Sequence, residues 1–340
     1  MTPSNSHYDR PIGVGAVGVL PGIQDGLLAE LPQDAGFRFV AFSDEGLPEG
    51  LVTARPVTYC PDYNVMLQNP EVELVLVDGP LDLRRDMAVR ALNAGRHVVI
   101  PLPFSETALG AERIMKTALA GRGLVATADC RWRDDPDLLA LRAALAAEDV
   151  GPVQGLFFFG AVPPRPPAEE PLLVEFLPED EAEPEEVDVG MLGECGVEFL
   201  DQVHLIAGDY VKNVNAHRIA PAAPGAPSGS AEGFMVYLAL RRGGWAVAQV
   251  TTHRPAGLPR WAVYTPHATI TARDGSAVVI TANSETTYTA PSQVQSFWDN
   301  LYAAVRNGAE LKSSPVDIVR AMKLHEAAIE SLLLGEPVTI

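Results

Sequence analysis

Three carboxylates at helical spacing are the first residues of this chain that could do chemistry. Glu194, Glu198 and Asp201 occupy positions i, i+4 and i+7 of a helix-like stretch, so they share one face. Like charges held close together raise one another's pKa, and a glutamate raised in this way can act as a general base. The same groups could instead hold a cation, or form an ordinary solvated acidic face. The opposite face is predicted to pack into a core and carries Leu192, Cys195, Phe199, Val203 and Ile206.

A glycine-rich stretch near the start of the chain offers a second kind of chemistry. Gly13, Gly15 and Gly18 fit the pattern GxGxxG, in which backbone amides approach a pyrophosphate at a helix N-terminus. Asp44, at the end of the next predicted strand, could then bond a ribose hydroxyl. A second register is open: if the strand continues through residue 17, the turn becomes residues 16–21 and keeps only Gly18. In that register, a tight turn without a nucleotide is the alternative interpretation.

The elements that must position these groups change character near residue 128. Before it, short apolar strands alternate with helical stretches, which is typical of βαβ units and a parallel sheet. After it, helical stretches surround several alternating segments between residues 233 and 289, with hairpin turns between them. We therefore predict two domains, residues 1–128 and residues 129–340, the second containing an open, largely antiparallel sheet.

An acidic, proline-rich loop at residues 163–189 interrupts the second domain. Ten acidic residues and no basic residue lie between Glu169 and Asp188. Prolines and like charges disfavour compact structure, so a solvated excursion is the first interpretation. A lid over a pocket and a docking strip for a basic partner are the alternatives.

Composition excludes several classes of function. The chain has 340 residues, of which 47% are hydrophobic, and a net charge of −19, which argues against a nucleic-acid partner. Its apolar runs are too short to span a bilayer and its start has no secretory pattern, so we expect no membrane association and a cytoplasmic location. The three cysteines lie far apart in the sequence, and we predict no metal site.

Several stretches resemble the Gfo/Idh/MocA oxidoreductases in order and spacing. They are NPEVELVLV at 69–77, GP at 79–80, ALNAGRHV at 91–98, RWRDDP at 131–136, GMLGECGVEFLD at 190–201, and the C-terminal region from SP at 314–315 to GEPV at 335–338. The resemblance implies an α/β chain with an N-terminal Rossmann domain, followed by an α+β domain that serves the substrate and oligomerisation. It implies NAD(P) near the glycine turn, with Gly79, Pro80 and Pro101 beside it. It also implies a sugar, inositol or related polyol as substrate, and a homo-dimer or homo-tetramer formed through the open sheet.

The sequence departs from the pattern of this family where the proton chemistry should be. The family usually has Glu-Lys-Pro at the end of the fifth strand, and the matching residues here are Pro101, Leu102 and Pro103. Leucine can neither donate nor accept the proton that an alcohol loses during hydride transfer. Glu194 and Glu198 stand where the family typically has Asp and His. Arg84, where the family often has a histidine, is expected to contact a phosphate or substrate, or to lie on the surface.

Three hypotheses follow from these features. The first is an NAD(P)-dependent oxidoreductase in which Glu194 or Glu198 takes the proton role, and Asp44 favours NAD because its charge would repel a 2′-phosphate. The second is a non-catalytic relative that acts as a nucleotide- or sugar-sensing regulator, or as a partner subunit. The third is a scaffold that binds no nucleotide, which the second register of the glycine turn favours.

Overall fold

The computed structural model describes residues 10–18, 27–28, 31–32, 36–43, 56–162, 173–176, 185–208, 210–219, 233–252 and 256–340. The chain divides into two compact units. The first contains residues 1–131 and 295–319, and the second contains residues 132–294 and 320–340. None of the helices in the described part of the chain is long and apolar enough to cross a bilayer.

The first unit is built on a parallel sheet of six strands. These are β1 (Ile12–Val17), β2 (Phe37–Ser43), β3 (Thr58–Cys60), β4 (Leu74–Val77), β5 (His97–Ile100) and β6 (Ala126–Ala128). Their order in the sheet is β3-β2-β1-β4-β5-β6, and every neighbouring pair is parallel. Strands β1, β4 and β6 are buried along their whole length, as expected of a parallel sheet covered on both faces. The predicted Rossmann-type domain is confirmed.

Seven α-helices accompany the two sheets in the described residues. They are α1 (Tyr63–Gln68), α2 (Leu81–Asn93), α3 (Ala108–Ala120), α4 (Pro136–Ala147), α5 (Gly190–Ala207), α6 (Phe297–Asn307) and α7 (Pro315–Leu334). Side-chain caps fix where several of them begin. Thr107 accepts a hydrogen bond from the backbone N–H of Gly110, and Asp135 accepts two at the start of α4. Ser296 and Asp299 form a reciprocal capping box on α6.

Helix α6 belongs to the first unit, although the sequence placed it in the second domain. Its residues Phe297, Trp298 and Tyr302 are buried in the core of the first sheet. The rings of Trp298 and Tyr302 meet the ring of Phe37 edge-on, with centroid distances of 5.4 and 6.2 Å. The domain boundary at residue 128 therefore needs a correction at the C-terminal side, because an amphipathic pattern does not show which core covers the apolar face.

The second unit contains a mixed sheet of nine strands and a separate two-stranded ribbon. The strands are β7 (Gly155–Ala161), β8 (Leu173–Phe176), β9 (Glu185–Asp188), β10 (Val211–Ile219), β11 (Gly233–Leu240), β12 (Trp245–Thr251), β13 (Trp261–Tyr264), β14 (Ala268–Arg273), β15 (Ser276–Thr281), β16 (Glu285–Thr289) and β17 (Val338–Thr339). The large sheet has the order β16-β15-β14-β13-β7-β12-β11-β10-β17, and among the described strands β8 pairs with β9 alone. All pairs are antiparallel except β7 with β12, so the predicted largely antiparallel sheet is confirmed.

Helix α5 packs into the core of the second unit as its pattern predicts. The five residues assigned to its apolar face are all buried: Leu192, Cys195, Phe199, Val203 and Ile206. A hydrogen bond also ties α5 to α7, because His325 Nε2 lies 2.8 Å from the carbonyl oxygen of Leu192. His325 is buried, and burial lowers its pKa to about 4, although the hydrogen bond to Leu192 acts in the opposite direction.

We predict that His325 makes the second unit less stable in mild acid. The unfolded state takes up a proton near pH 6.5 and the folded state only near pH 4. The free energy of unfolding should therefore fall as the pH drops from 6.5 to 4, by on the order of 3 kcal/mol. A glutamine side chain cannot titrate but can still donate to Leu192, so His325→Gln should remove this fall in urea unfolding at a series of pH values. Equal slopes for the two proteins would contradict the prediction.

Candidate nucleotide site

The candidate site lies at the carboxyl edge of the first sheet, where the strand order reverses. Strand β1 has β2 on one side and β4 on the other, and the chain leaves β2 and β4 toward opposite edges of the sheet. In open α/β sheets, ligands bind outside the carboxyl ends of the strands at such a reversal point. Gly18 follows β1, Gly79 follows Asp78 at the end of β4, and Asp129 follows β6.

Gly18 and Gly79 bring two turns of this edge into backbone contact. Gly18 has a φ of +76°, and a Cβ atom there would lie 2.2 Å from the Cα of Gly79. Position 18 therefore requires glycine, because the backbones of Gly18 and Gly79 meet with no room for a side chain between them. Both turns follow strands at the reversal point of the sheet, so their place in the sheet, and not the missing side chain alone, fits a dinucleotide.

Gly13 and Gly15 lie inside β1 and are not part of a phosphate-binding turn. A Cβ atom on Gly13 would lie 1.7 Å from the carbonyl oxygen of Glu71, and one on Gly15 would press on Met66 at 3.1 Å. A side chain is excluded at Gly13, where the backbone of Glu71 lies against the strand, and it is disfavoured at Gly15, where Met66 would have to move. The assignment of Gly13 and Gly15 to the cofactor loop is thus corrected: the strand follows the second register, and Gly18 is the glycine that remains.

Of the remaining predicted cofactor residues, two directly adjoin described elements of the first unit and one lies outside the described residues. Pro80 is exposed and immediately precedes α2, and Pro101 is half-buried directly after β5. Asp44 lies outside the described residues, as does most of the turn after Gly18.

Arg84 connects the turns that follow β4 and β5. Its Nε donates to the carbonyl oxygen of Gly79 at 2.8 Å, and its Nη1 donates to that of Pro103 at 2.7 Å. The side chain is half-buried, so the interpretation of Arg84 as a surface residue is wrong. Its guanidinium holds the Leu102 turn in place, because a fork of N–H donors can bind two carbonyls at once.

Asp78 shares this environment with Arg84. Burial raises the pKa of Asp78, while the charge of Arg84 and a backbone hydrogen bond from Leu27 oppose the rise. Burial likewise lowers the pKa of Arg84, and Asp78 opposes that change. The two opposite charges therefore favour each other's ionised form at the end of β4.

Asp129 is the carboxylate that stands beside the Leu102 turn. Its backbone N–H donates to Ile100 at 3.0 Å, which fixes it next to the residues that follow β5. Arg131 reaches both carboxylate oxygens, with Nε at 2.8 and 2.7 Å and Nη2 at 2.6 Å. Burial raises the pKa of Asp129 to about 6, the charge of Asp78 adds to the rise, and the backbone hydrogen bond from Arg131 reduces it. The sequence analysis missed Asp129, although a polar residue directly after a buried strand was the available signal.

The three carboxylates of α5 have three different environments. Glu194 is exposed, Glu198 is half-buried, and Asp201 is buried. Arg133 binds both oxygens of Asp201, at 2.8 and 2.6 Å. Asp201 is therefore corrected from a catalytic candidate to one half of an ion pair in which both side chains are buried, whereas the Arg131 partner of Asp129 is 34% exposed.

The cation hypothesis for these carboxylates finds no support. Among the residues that the structure describes, no three His, Cys, Asp or Glu side chains are grouped so that they could hold a metal ion. Glu194 and Glu198 remain as the two candidates of α5 for proton transfer.

Comparisons with known proteins show similarity to oxidoreductases. Residues 12–128 match the sequence model of an oxidoreductase family with an NAD-binding Rossmann fold. Over 98 residues the chain is 33% identical to the uncharacterized oxidoreductase YdgJ of Escherichia coli strain K12, and this segment covers 28% of each protein.

Solved structures extend the likeness to both units. An NAD-binding protein from Listeria innocua superposes with a TM-score of 0.71 and 21% identity, covering 97% of each chain. An oxidoreductase from Bacillus cereus superposes with a TM-score of 0.74 and 16% identity, covering 97% of this chain and 98% of the other. At these identities the superpositions establish the two-domain fold.

We predict that Gly13→Ala destabilises the first unit because of a backbone clash, without a direct effect on nucleotide binding. The loss should reach about 3 kcal/mol, the upper range for overpacking, whereas Gly15→Ala should cost about 1 kcal/mol because Met66 can move. Urea unfolding followed by the fluorescence of Trp298, with Trp132, Trp245 and Trp261 replaced by Phe, measures both. A Gly13→Ala protein of unchanged stability that had lost affinity for NADH would restore the phosphate-loop assignment.

Proposed function

We propose that this chain is a Gfo/Idh/MocA-type oxidoreductase that uses NAD(P) to oxidise a sugar, inositol or related polyol. The observation that carries this proposal is the contact of Gly18 with Gly79 at the reversal point of a sheet that matches an NAD-binding family. The substrate class comes from the family resemblance. We also propose a cytoplasmic location, which the three buried free cysteines support.

The chain must supply a proton acceptor for this reaction. Bound NAD(P) would accept hydride from the carbinol carbon, so the hydroxyl oxygen of the same substrate has to lose its proton to the protein. Leu102 cannot take that proton. The site therefore departs from the usual one, and a carboxylate is the available type of base.

Asp129 is the proposed acceptor within the first unit. Its position after β6 places it beside the Leu102 turn, and Arg131 orients its carboxylate. With a pKa of about 6 it is ionised at neutral pH, yet it is a stronger base than an ordinary aspartate. In this proposal, the proton moves from the substrate hydroxyl to a carboxylate oxygen of Asp129. Glu198 and Glu194, which the sequence favoured, are the alternatives for the same role.

NAD is the proposed cofactor in preference to NADP. The preference rests on Asp44, whose carboxylate would accept a hydrogen bond from a ribose hydroxyl and repel a 2′-phosphate.

A non-catalytic role is the second candidate function. It is favoured by one observation: Leu102 and its flanking prolines leave the turn after β5 without an ionisable side chain. In this case the chain would bind a nucleotide or sugar as a regulator, or as a partner subunit, without turnover.

A homo-dimer or homo-tetramer through the open sheet is also proposed. Strands β7, β12 and β13 carry aromatic rings in contact on the sheet face opposite the core. The ring centroid of Phe157 lies 4.9 Å from that of Trp245 and 6.5 Å from that of Tyr264. Tyr264 and Tyr237 are exposed on this sheet. A connected apolar face of this kind usually marks an interface. A monomer at every concentration in sedimentation equilibrium, for the chain and for Tyr237→Lys alike, would rule this interface out.

We expect saturable binding of NADH, with NADPH about tenfold weaker, a difference of about 1.4 kcal/mol. Asp44→Ser should bring the dissociation constants of NADPH and NADH closer together, because it removes the charge that repels the 2′-phosphate. Titration of nicotinamide fluorescence measures both affinities, and Asp82→Ser, in the first turn of α2, serves as the charge-matched control. If neither dinucleotide bound at millimolar concentration, the scaffold hypothesis would replace this proposal.

We expect kcat/KM for polyol oxidation to fall as the pH drops through about 6, because protonated Asp129 can no longer accept a proton. Asp129→Asn should abolish the fall of kcat/KM at acid pH and lower kcat about 10²- to 10⁴-fold. An unchanged affinity for NADH would show that the variant is folded. Glu198→Gln and Glu194→Gln are the matched controls. Loss of activity in Glu198→Gln but not in Asp129→Asn would move the proton role to α5. Tight NADH binding without turnover of any polyol would favour the regulator.

A further inference from the structure

A basic groove runs between α2 and α3 in the first unit. It has a volume of about 620 Å³, and its lining includes Arg85, Arg113 and Lys116 together with the polar side chains of Asn93 and Thr107. None of the residues that line it, all within the described part of the chain, is acidic. In a chain of net charge −19, this is a locally cationic surface.

The cations of this groove are weakly engaged. Arg85 Nε lies 2.9 Å from Asp86, and Lys116 Nζ lies 3.2 Å from Glu112, both in solvent-exposed pairs. Exposed pairs of this kind contribute little to stability and exchange partners readily. Arg113 is exposed and forms no ion pair with any residue that the structure describes, although its charge helps to lower the pKa of Asp86. The groove can therefore accept carboxylates at little cost.

The ribbon formed by β8 and β9, called the acidic ribbon below, has the opposite charge. Its two strands, LVEF and EEVD, carry four acidic residues and no basic residue, and they pair with no other described strand. The register places Glu175 directly opposite Glu186, and Phe176 opposite Glu185. Like charges at directly opposed positions destabilise a strand pair, and an isolated two-stranded ribbon is marginal to begin with. A partner that supplies positive charge would relieve this repulsion.

We propose that the acidic ribbon of one copy docks in the basic groove of a second copy of this chain. The sizes agree, because a four-residue strand is about 13 Å long and the 13-residue helix α3 about 20 Å. Arg113 offers the planar fork of donors that binds a carboxylate through two hydrogen bonds, and Lys116 adds a point charge one turn away. Leu109, which is 73% exposed at the mouth of the groove, adds an apolar surface beside these donors. This contact involves neither the nucleotide site nor the open sheet.

Binding of a labelled peptide of residues 173–188 to the full chain tests the contact directly. We expect saturable binding by fluorescence anisotropy, weakened about tenfold or more by the pair Arg113→Glu and Lys116→Glu. The pair Arg241→Glu and Arg242→Glu changes the net charge equally at exposed positions outside the groove, and should change the affinity less than about twofold. A peptide with Lys in place of Glu175 and Glu186 should bind the groove variant better than the natural chain. Absence of saturable binding, or an equal loss in the control, would overturn the proposal.

Sedimentation velocity of the full chain distinguishes a second copy from the same chain as the occupant. Reversing the groove charges, or Glu175 and Glu186, should each reduce the concentration-dependent increase in mass, and a chain with both reversals should recover it. If peptide binding responds to the groove variant while the mass of the chain does not, each ribbon occupies its own groove, and the second-copy proposal is wrong.

Discussion

The backbone of Gly18 lies directly against that of Gly79, and this contact sets the geometry of the carboxyl edge of the first sheet. Any Cβ at position 18 would overlap the Gly79 backbone, so β1 and β4 can end side by side only with glycine there. The contact lies where the strand order reverses, which is where a crevice opens in sheets of this kind. The proposals for cofactor, proton acceptor and regulator all depend on that crevice.

Charged side chains, and not only apolar ones, surround the turn of residues 101–103. In this turn, Leu102 stands where the family usually has a lysine. Arg84 donates to the carbonyl of Pro103 in this turn and to that of Gly79 in the turn after β4, and the charge of Asp78 opposes the lowering of its pKa by burial. Asp129 and Arg131 form an ion pair beside the same turn. Burial and the charge of Asp78 both favour the protonated form of Asp129. In the proposed mechanism, Asp129 supplies beside Leu102 the proton acceptor that a leucine side chain cannot provide.

Most of the fold was predictable from the sequence. Hydrophobic periodicity distinguishes helices from strands, and glycine, proline and capping residues mark where each helix or strand ends. Helix α5 covers the stretch whose carboxylates and apolar residues predicted one helix, and a glycine stands at its beginning and after its end. Strand β10 was missed, because five of its nine residues are polar or charged. What the sequence could not show are the contacts between distant segments. The partner of Asp201 is Arg133, 68 positions away, so three carboxylates at helical spacing resembled one functional face until that pair was known.

The central claim is that a dinucleotide binds at the Gly18–Gly79 crevice. Amide hydrogen exchange of the full chain, measured with and without saturating NADH, tests it most directly, because bound pyrophosphate shields the amides that it contacts. The account predicts slower exchange in the peptides that contain Gly18 and Gly79, and little change in those from β14 to β16. Unchanged exchange around Gly18 and Gly79, or protection confined to other peptides, would contradict it.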